Sequence, residues 1–170
     1  MCSEVIKDLV GVSYDIYELL LLDSKINGPI SLLCCRKSAY FALAIVHLPC
    51  YDKERVSVEM LSDDLSMLKP RPMVYILDTV ITGKNISTIS SELCRRYPRS
   101  SFRFASVNHP TFMPRIPIYM QFISSCVYSV ESLPNIHSEY NDYREPIISF
   151  AKTYTRKPLK SMPDSPCLKY

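Results

Sequence analysis

Glycine is scarce in this chain, with three residues against 13 prolines. A fold with several tight phosphate-gripping turns ordinarily uses more, because glycine lets the backbone approach a ligand closely. The seven cysteines contain no C-x-x-C pair and are irregularly spaced. That argues against a disulfide framework and against a structural zinc site, and for reduced thiols in an intracellular core. Neither charge sign dominates: 20 Lys and Arg face 17 Asp and Glu, a net of +3. Such a balance makes no case for nucleic acid. The longest apolar stretches, such as Ile16 to Leu22, fall short of the ~20 residues a membrane helix needs. The start, M-C-S-E-V-I-K-D, lacks a basic segment followed by an apolar one, so no secretory signal is expected. The expectation is a cytoplasmic protein with no membrane and no nucleic-acid partner.

What is present fits one globular domain. The 170 residues are 47% hydrophobic, enough for a sizeable core. One domain is expected over 1–155. Beyond it, 156–170 reads as a loose tail rich in Pro and Lys/Arg and poor in large apolar residues.

Apolar residues at helical spacing predict a helix over Val5 to Leu22, with a possible break at Gly11. Asn27-Gly28-Pro29 is a turn. Ile30 to Cys35 predicts a buried strand. Ser38 is placed to cap a helix over Ala39 to Val46, which Pro49 stops. Arg55 to Met60 alternates like a strand, and Ser62 to Leu65 reads as a turn or one helical turn. Met73 to Asp78 is a second buried strand, Asn85 to Tyr97 an amphipathic helix, and Ser101 to Val107 the next strand. Val107 to Pro117 is irregular, and Tyr119 to Val130 has room for one or two strands. Strands alternating with helices predict an α/β fold, a mostly parallel sheet flanked by helices, with a small β-rich C-terminal part.

Met73 to Asn85, M-V-Y-I-L-D-T-V-I-T-G-K-N, carries the most chemistry. An apolar strand ends on a carboxylate, Asp78, and a Thr-Gly-Lys turn opens the next helix. In open α/β sheets that corner binds phosphorylated ligands. Thr79, Thr82, Gly83, Lys84 and Asn85 offer N–H groups, hydroxyls and a cation. The competing reading is an ordinary strand-to-helix turn with Thr82 or Asn85 as N-cap.

Four segments, in order, resemble the type I phosphoribosyltransferases, closest to the hypoxanthine-guanine enzymes. Pro29 to Tyr40, P-I-S-L-L-C-C-R-K-S-A-Y, resembles the family's strand and pyrophosphate loop. Asp63-Asp64-Leu65-Ser66 resembles its Asp-Asp-Leu-Ser element. Val74 to Asn85 resembles its phosphoribosyl pyrophosphate motif. Glu139 to Arg144, E-Y-N-D-Y-R, resembles its late acidic stretch.

The resemblance implies a phosphoribosyltransferase-like, Rossmann-like fold and a purine-salvage activity. Ribose 5-phosphate would pass from phosphoribosyl pyrophosphate to hypoxanthine or guanine, with Mg²⁺ as cofactor. By the same resemblance, Asp78 is the catalytic-site acid that holds a ribose hydroxyl. The 5-phosphate falls to Thr79, Thr82, Gly83, Lys84 and Asn85, the pyrophosphate to Arg36, Lys37 and Ser38, and the metal to Glu139. The partners implied are phosphoribosyl pyrophosphate, a purine base or nucleotide, and a second copy or a paralogue.

The chain departs from that pattern at several positions. The first acid of the pair is Leu77, and Ile81 replaces the acid that serves the base. Ser38 and Ala39 replace the pyrophosphate loop's glycines. The family's basic residue after the next strand is matched only by Asn108-His109-Pro110, and Arg144 lies one position from the family's late basic residue. The family's long mobile loop is reduced to Leu61 to Pro72, twelve residues, four of them matching the fixed Asp-Asp-Leu-Ser element. Those departures set a second reading beside the first: a phosphoribosyltransferase-fold protein that binds a nucleotide or phosphate without turnover, or serves as the subunit of an active paralogue.

Overall fold

The computed structural model describes residues 3–35, 38–62, 64–80, 84–108, 126–127 and 136–156. The chain opens with a helix, α1, over Ser3–Asn27. It runs on through Gly11, where a break was possible. One glycine costs a helix about 1 kcal/mol. That is outweighed by the burial of Leu9, Val10, Tyr14, Ile16, Tyr17 and Leu20 along the same helix. At its end Gly28 takes φ +83 and donates its N–H to the Ser24 carbonyl at 3.0 Å, a left-handed helix stop.

Strand β1, Ile30–Cys34, is buried at every position, as a central parallel strand should be. Helix α2 is Ala39–His47, and it stops where Leu48, extended ahead of Pro49, leaves helical geometry. Strand β2 is Val56–Met60. A short 3-10 turn over Leu65–Met67 follows, capped by Asp64, whose carboxylate accepts the Ser66 N–H. Then come β3 over Met73–Val80, α3 over Lys84–Arg96, β4 over Ser101–Asn108, β5 over Cys126–Val127 and α4 over Ile136–Thr153.

The strands form one sheet in the order β2-β1-β3-β4-β5, every neighbouring pair parallel. This is the expected α/β fold. Successive strand residues alternate between the two faces. On one face Leu32, Cys34, Tyr75 and Leu77 meet α1, α2 and α4 in the larger core. On the other, Leu33, Cys35, Val74, Ile76 and Phe102 meet Leu93 of α3, with Leu61, Leu65 and Leu68 from the β2–β3 connection packed alongside.

The β-rich end is only partly met. β5 falls within the expected region, but the expectation did not include α4. A proline inside a helix costs about 3 kcal/mol, and α4 contains Pro146. The helix is held by its buried face: Ile147 and Ala151 lie in the larger core, with Tyr143 and Phe150 against it. Among the described residues no helix is long and apolar enough to cross a membrane. Cys34, Cys35, Cys50 and Cys94 are free thiols. The tail beyond 156 lies outside the described residues.

Candidate functional site

The strand order reverses once. From β1 the chain passes through α2 to β2 on one side, then returns to β3 on the other side of β1. In a doubly wound sheet of this order, ligands bind outside the carboxyl ends of the strands at that reversal, here between β1 and β3. Both sequence segments singled out for phosphate handling leave the sheet there. The register places Cys34 beside Leu77, so the β1 and β3 exits are adjacent.

Hydrogen bonds tie the two exits together. Cys35 donates its N–H to the Leu77 carbonyl at 2.9 Å, and Leu61 donates to the Cys34 carbonyl at 2.9 Å. Ser38 is fully buried. Its hydroxyl lies 2.6 Å from the Cys35 carbonyl and 2.9 Å from the Leu77 carbonyl. Its N–H also donates to the Cys35 carbonyl, at 2.8 Å. Ser38 therefore holds the N-cap position of α2 without capping it by its side chain. The hydroxyl turns back to the strands instead.

Asp78 follows Leu77 at the end of β3 and is 5% exposed. Alternation puts its carboxylate on the face of Val74 and Ile76. Its charge reaches the neighbouring thiols. Burial pushes the Cys34 thiol up to about 12, with Asp78 adding to the rise and the Ser38 hydroxyl opposing it. Burial raises Cys35 as well, again with help from Asp78. Neither is a thiolate at neutral pH, so neither is a nucleophile there. Leu77 points the other way. It is fully exposed to no solvent at all, lying at 0% in the larger core, so the side chain at this position does not face the crevice.

Of the other expected site residues, Arg36, Lys37, Thr82 and Gly83 lie outside the described residues, as do Ile81 and His109. The backbone of Thr79 continues β3, and Lys84 and Asn85 open α3. A helix's first turn leaves N–H groups without intrahelical partners, facing whatever the strand end holds. Glu139 belongs to α4. The side chains of Thr79, Lys84, Asn85 and Glu139 are outside the described part. Arg144 is exposed and pairs with Glu145 at 3.0 Å.

Sequence reasoning missed two contributions. The Leu77 carbonyl, which anchors both Cys35 and Ser38, has no sequence signature because it is main chain. Tyr143 packs edge-on against Tyr40, ring centroids 6.3 Å apart. That contact brings the E-Y-N-D-Y-R stretch of α4 beside the start of α2; a helical reading of Tyr143, Ile147 and Phe150 would have found it.

Among the described residues no group of three or more His, Cys, Asp or Glu could hold a metal ion by itself. Mg²⁺ that keeps its waters and rides on substrate phosphates needs only one or two carboxylates. Near the end of β3, Asp78 is a single carboxylate, 5% exposed.

No protein-family model matches the chain, and no curated protein matches it. Among solved structures it is similar to the Helicobacter pylori xanthine-guanine-hypoxanthine phosphoribosyltransferase. The identity is 18%, over 65% of this chain and 85% of that one, with a TM-score of 0.35. The α/β class itself stands on the strand order and register of this chain.

Proposed function

We propose that the protein is a phosphoribosyltransferase of the purine-salvage type. It takes phosphoribosyl pyrophosphate at the β1–β3 crevice and transfers ribose 5-phosphate to hypoxanthine or guanine. One observation carries this reading. The two segments that resemble the family's pyrophosphate and ribose-phosphate motifs leave neighbouring strands at the sheet's point of reversal, the second of them carrying the buried Asp78.

In this reading Asp78 accepts a hydrogen bond from a ribose hydroxyl. The segment after β3 and the first turn of α3 receive the 5-phosphate. The segment after β1 receives the pyrophosphate, Arg36 and Lys37 offsetting its charge. Mg²⁺, held by Glu139 and the substrate's phosphates, would neutralise the leaving pyrophosphate. A homodimer or a pairing with a paralogue belongs to the same proposal.

A second reading is favoured by Leu77. The family pattern has an acid where this chain buries an apolar side chain in the core. With one carboxylate of the pair missing, the crevice binds a nucleotide or phosphate without turnover.

The test is thermal denaturation with phosphoribosyl pyrophosphate and Mg²⁺, with GMP, with IMP, and with Mg²⁺ alone. Ligand at a hundred times its dissociation constant adds about 2.7 kcal/mol of stability. Stabilisation by phosphoribosyl pyrophosphate, followed by formation of IMP or GMP from the free base, supports the enzyme. Stabilisation without product supports the second reading. No stabilisation by any of them sinks both.

A further inference from the structure

We infer that Ser38 is a positioning residue, a strap that ties the start of α2 to β3 beside Asp78. The inference rests on the ligand reading above and deepens it.

Ser38 has two donors, its N–H and its hydroxyl. The N–H goes to the Cys35 carbonyl. The hydroxyl has one proton and two main-chain acceptors, the carbonyls of Cys35 and Leu77. Neither donor is left for a phosphate oxygen. A residue in the expected pyrophosphate segment thus serves the backbone rather than the ligand.

The acceptors give the bond its meaning. The Cys35 carbonyl closes a turn with Ser38 itself. The Leu77 carbonyl belongs to the neighbouring strand, one peptide before Asp78, and it also receives the Cys35 N–H. Beyond Ser38, the chain runs straight into α2, whose Tyr40 and Phe41 are buried in the larger core. Ser38 is therefore held on one side by the core burial of α2 and on the other by the Leu77 carbonyl. The Ser38 hydroxyl is the side-chain part of that second attachment. A glycine at this position keeps the turn and loses the strap.

The consequence is selective. A ligand that touches both strand exits depends on their spacing, whereas a ligand that touches only the β3 exit does not. Phosphoribosyl pyrophosphate is the first kind of probe and ribose 5-phosphate the second.

The experiment is calorimetric titration of both compounds, with Mg²⁺, into wild type, Ser38→Ala and Ser38→Cys. Ser38→Ala should weaken phosphoribosyl pyrophosphate by about tenfold, the scale of one lost hydrogen bond, and leave ribose 5-phosphate within about twofold. Ser38→Cys keeps the volume and a weak donor, and should fall between the two. It carries the test if the alanine variant does not fold. Wild-type binding with equal losses for both ligands, or with no loss for either, overturns the strap while the ligand reading stands. If wild type binds neither compound, the ligand reading itself falls, and the strap with it.

Discussion

Arg103 Nη1 lies 3.0 Å from Asp23 Oδ2, joining β4 to α1 across the sheet's larger core. The Tyr75 hydroxyl completes the group. It donates to the same carboxylate and accepts from Arg103 at 3.0 Å, while the Asn27 side-chain amide donates to the other carboxylate oxygen. The Asp23 side chain is 5% exposed, so its charge depends on these partners rather than on water. Removing one partner of a buried pair typically costs about 3 to 5 kcal/mol. Arg103→Met should lose that much in urea denaturation. Arg103→Met with Asp23→Leu should lose distinctly less, because no orphan charge remains. Additive losses in that double-mutant cycle would show the two residues to be uncoupled.

Installing the absent acid should not repair the site. Leu77 sits in the larger core among Cys34, Tyr40 and Phe41. Leu77→Asp should destabilise the fold by about 3 to 5 kcal/mol, the scale for an uncompensated buried charge. It should also give no gain in ligand-induced stabilisation. A variant of near wild-type stability that binds phosphoribosyl pyrophosphate more tightly would mean that position 77 faces the crevice.

Asp78→Asn separates binding from folding. The amide keeps the shape of the side chain and removes its charge. The expected outcome is loss of the stabilisation by phosphoribosyl pyrophosphate and Mg²⁺, about 2.7 kcal/mol at a hundredfold excess over the dissociation constant. The unliganded melting temperature should change far less. An unchanged ligand response would remove Asp78 from the site.

Alkaline pH should unfold the protein. Burial pushes Tyr17 up to about 12 from an ordinary 10.0, and Cys34 up to about 12 from 9.0. Burial, helped by the Asp23 hydrogen bond, raises Tyr75 as well. These groups keep their protons in the folded state at a pH where the unfolded chain gives them up. The unfolded chain then binds fewer protons, so stability falls as pH rises. The contribution is intact below about pH 9 and is lost progressively toward about pH 12. Melting temperatures followed from neutral pH upward should fall in that window, with phenolate absorbance growing as unfolding proceeds. A flat profile would contradict the burial of these groups.

Two glycines should respond to alanine with opposite signs. Gly28 has φ +83 and nothing within 4 Å of an added Cβ, so Gly28→Ala carries only backbone strain, about 1 to 2 kcal/mol destabilising. Gly11 lies inside α1, where an added Cβ would meet the Tyr154 hydroxyl at an ordinary 3.6 Å. Gly11→Ala should stabilise by about 0.5 to 1 kcal/mol. Equal shifts in chemical denaturation would refute the helical placement of Gly11 or the left-handed one of Gly28.

The sheet was largely legible before the structure because its central strands are buried on both faces. Ile30–Cys34 and Met73–Asp78 read as unbroken apolar runs, which leaves few alternatives. The exit of β3 was less so: the strand runs two residues past Asp78, to Val80, where the pairing with β4 carries it on. Helix α4 was not, because Pro146 reads as a stop and only tertiary burial of Ile147 and Ala151 overrules it. Gly11 misled in the same way. The role of Ser38 was hidden for another reason. Ser before a helix signals an N-cap, but the hydroxyl chose carbonyls that the sequence cannot display. Asp64 shows a similar gap: within an element matched for its likeness, its carboxylate caps a local turn.

The connection between β2 and β3 bears on kinetics. Leu61, Leu65 and Leu68 pack into the sheet's second core, and the Tyr97 hydroxyl bonds to the Leu65 and Leu68 carbonyls. Lifting that segment would uncover three leucines, at up to about 2 kcal/mol each. It is a fixed part of the scaffold, so ligand exchange at the proposed β1–β3 crevice should not wait for it. Rapid-mixing rates should then rise in proportion to ligand concentration, without the plateau that an opening step in this segment would impose.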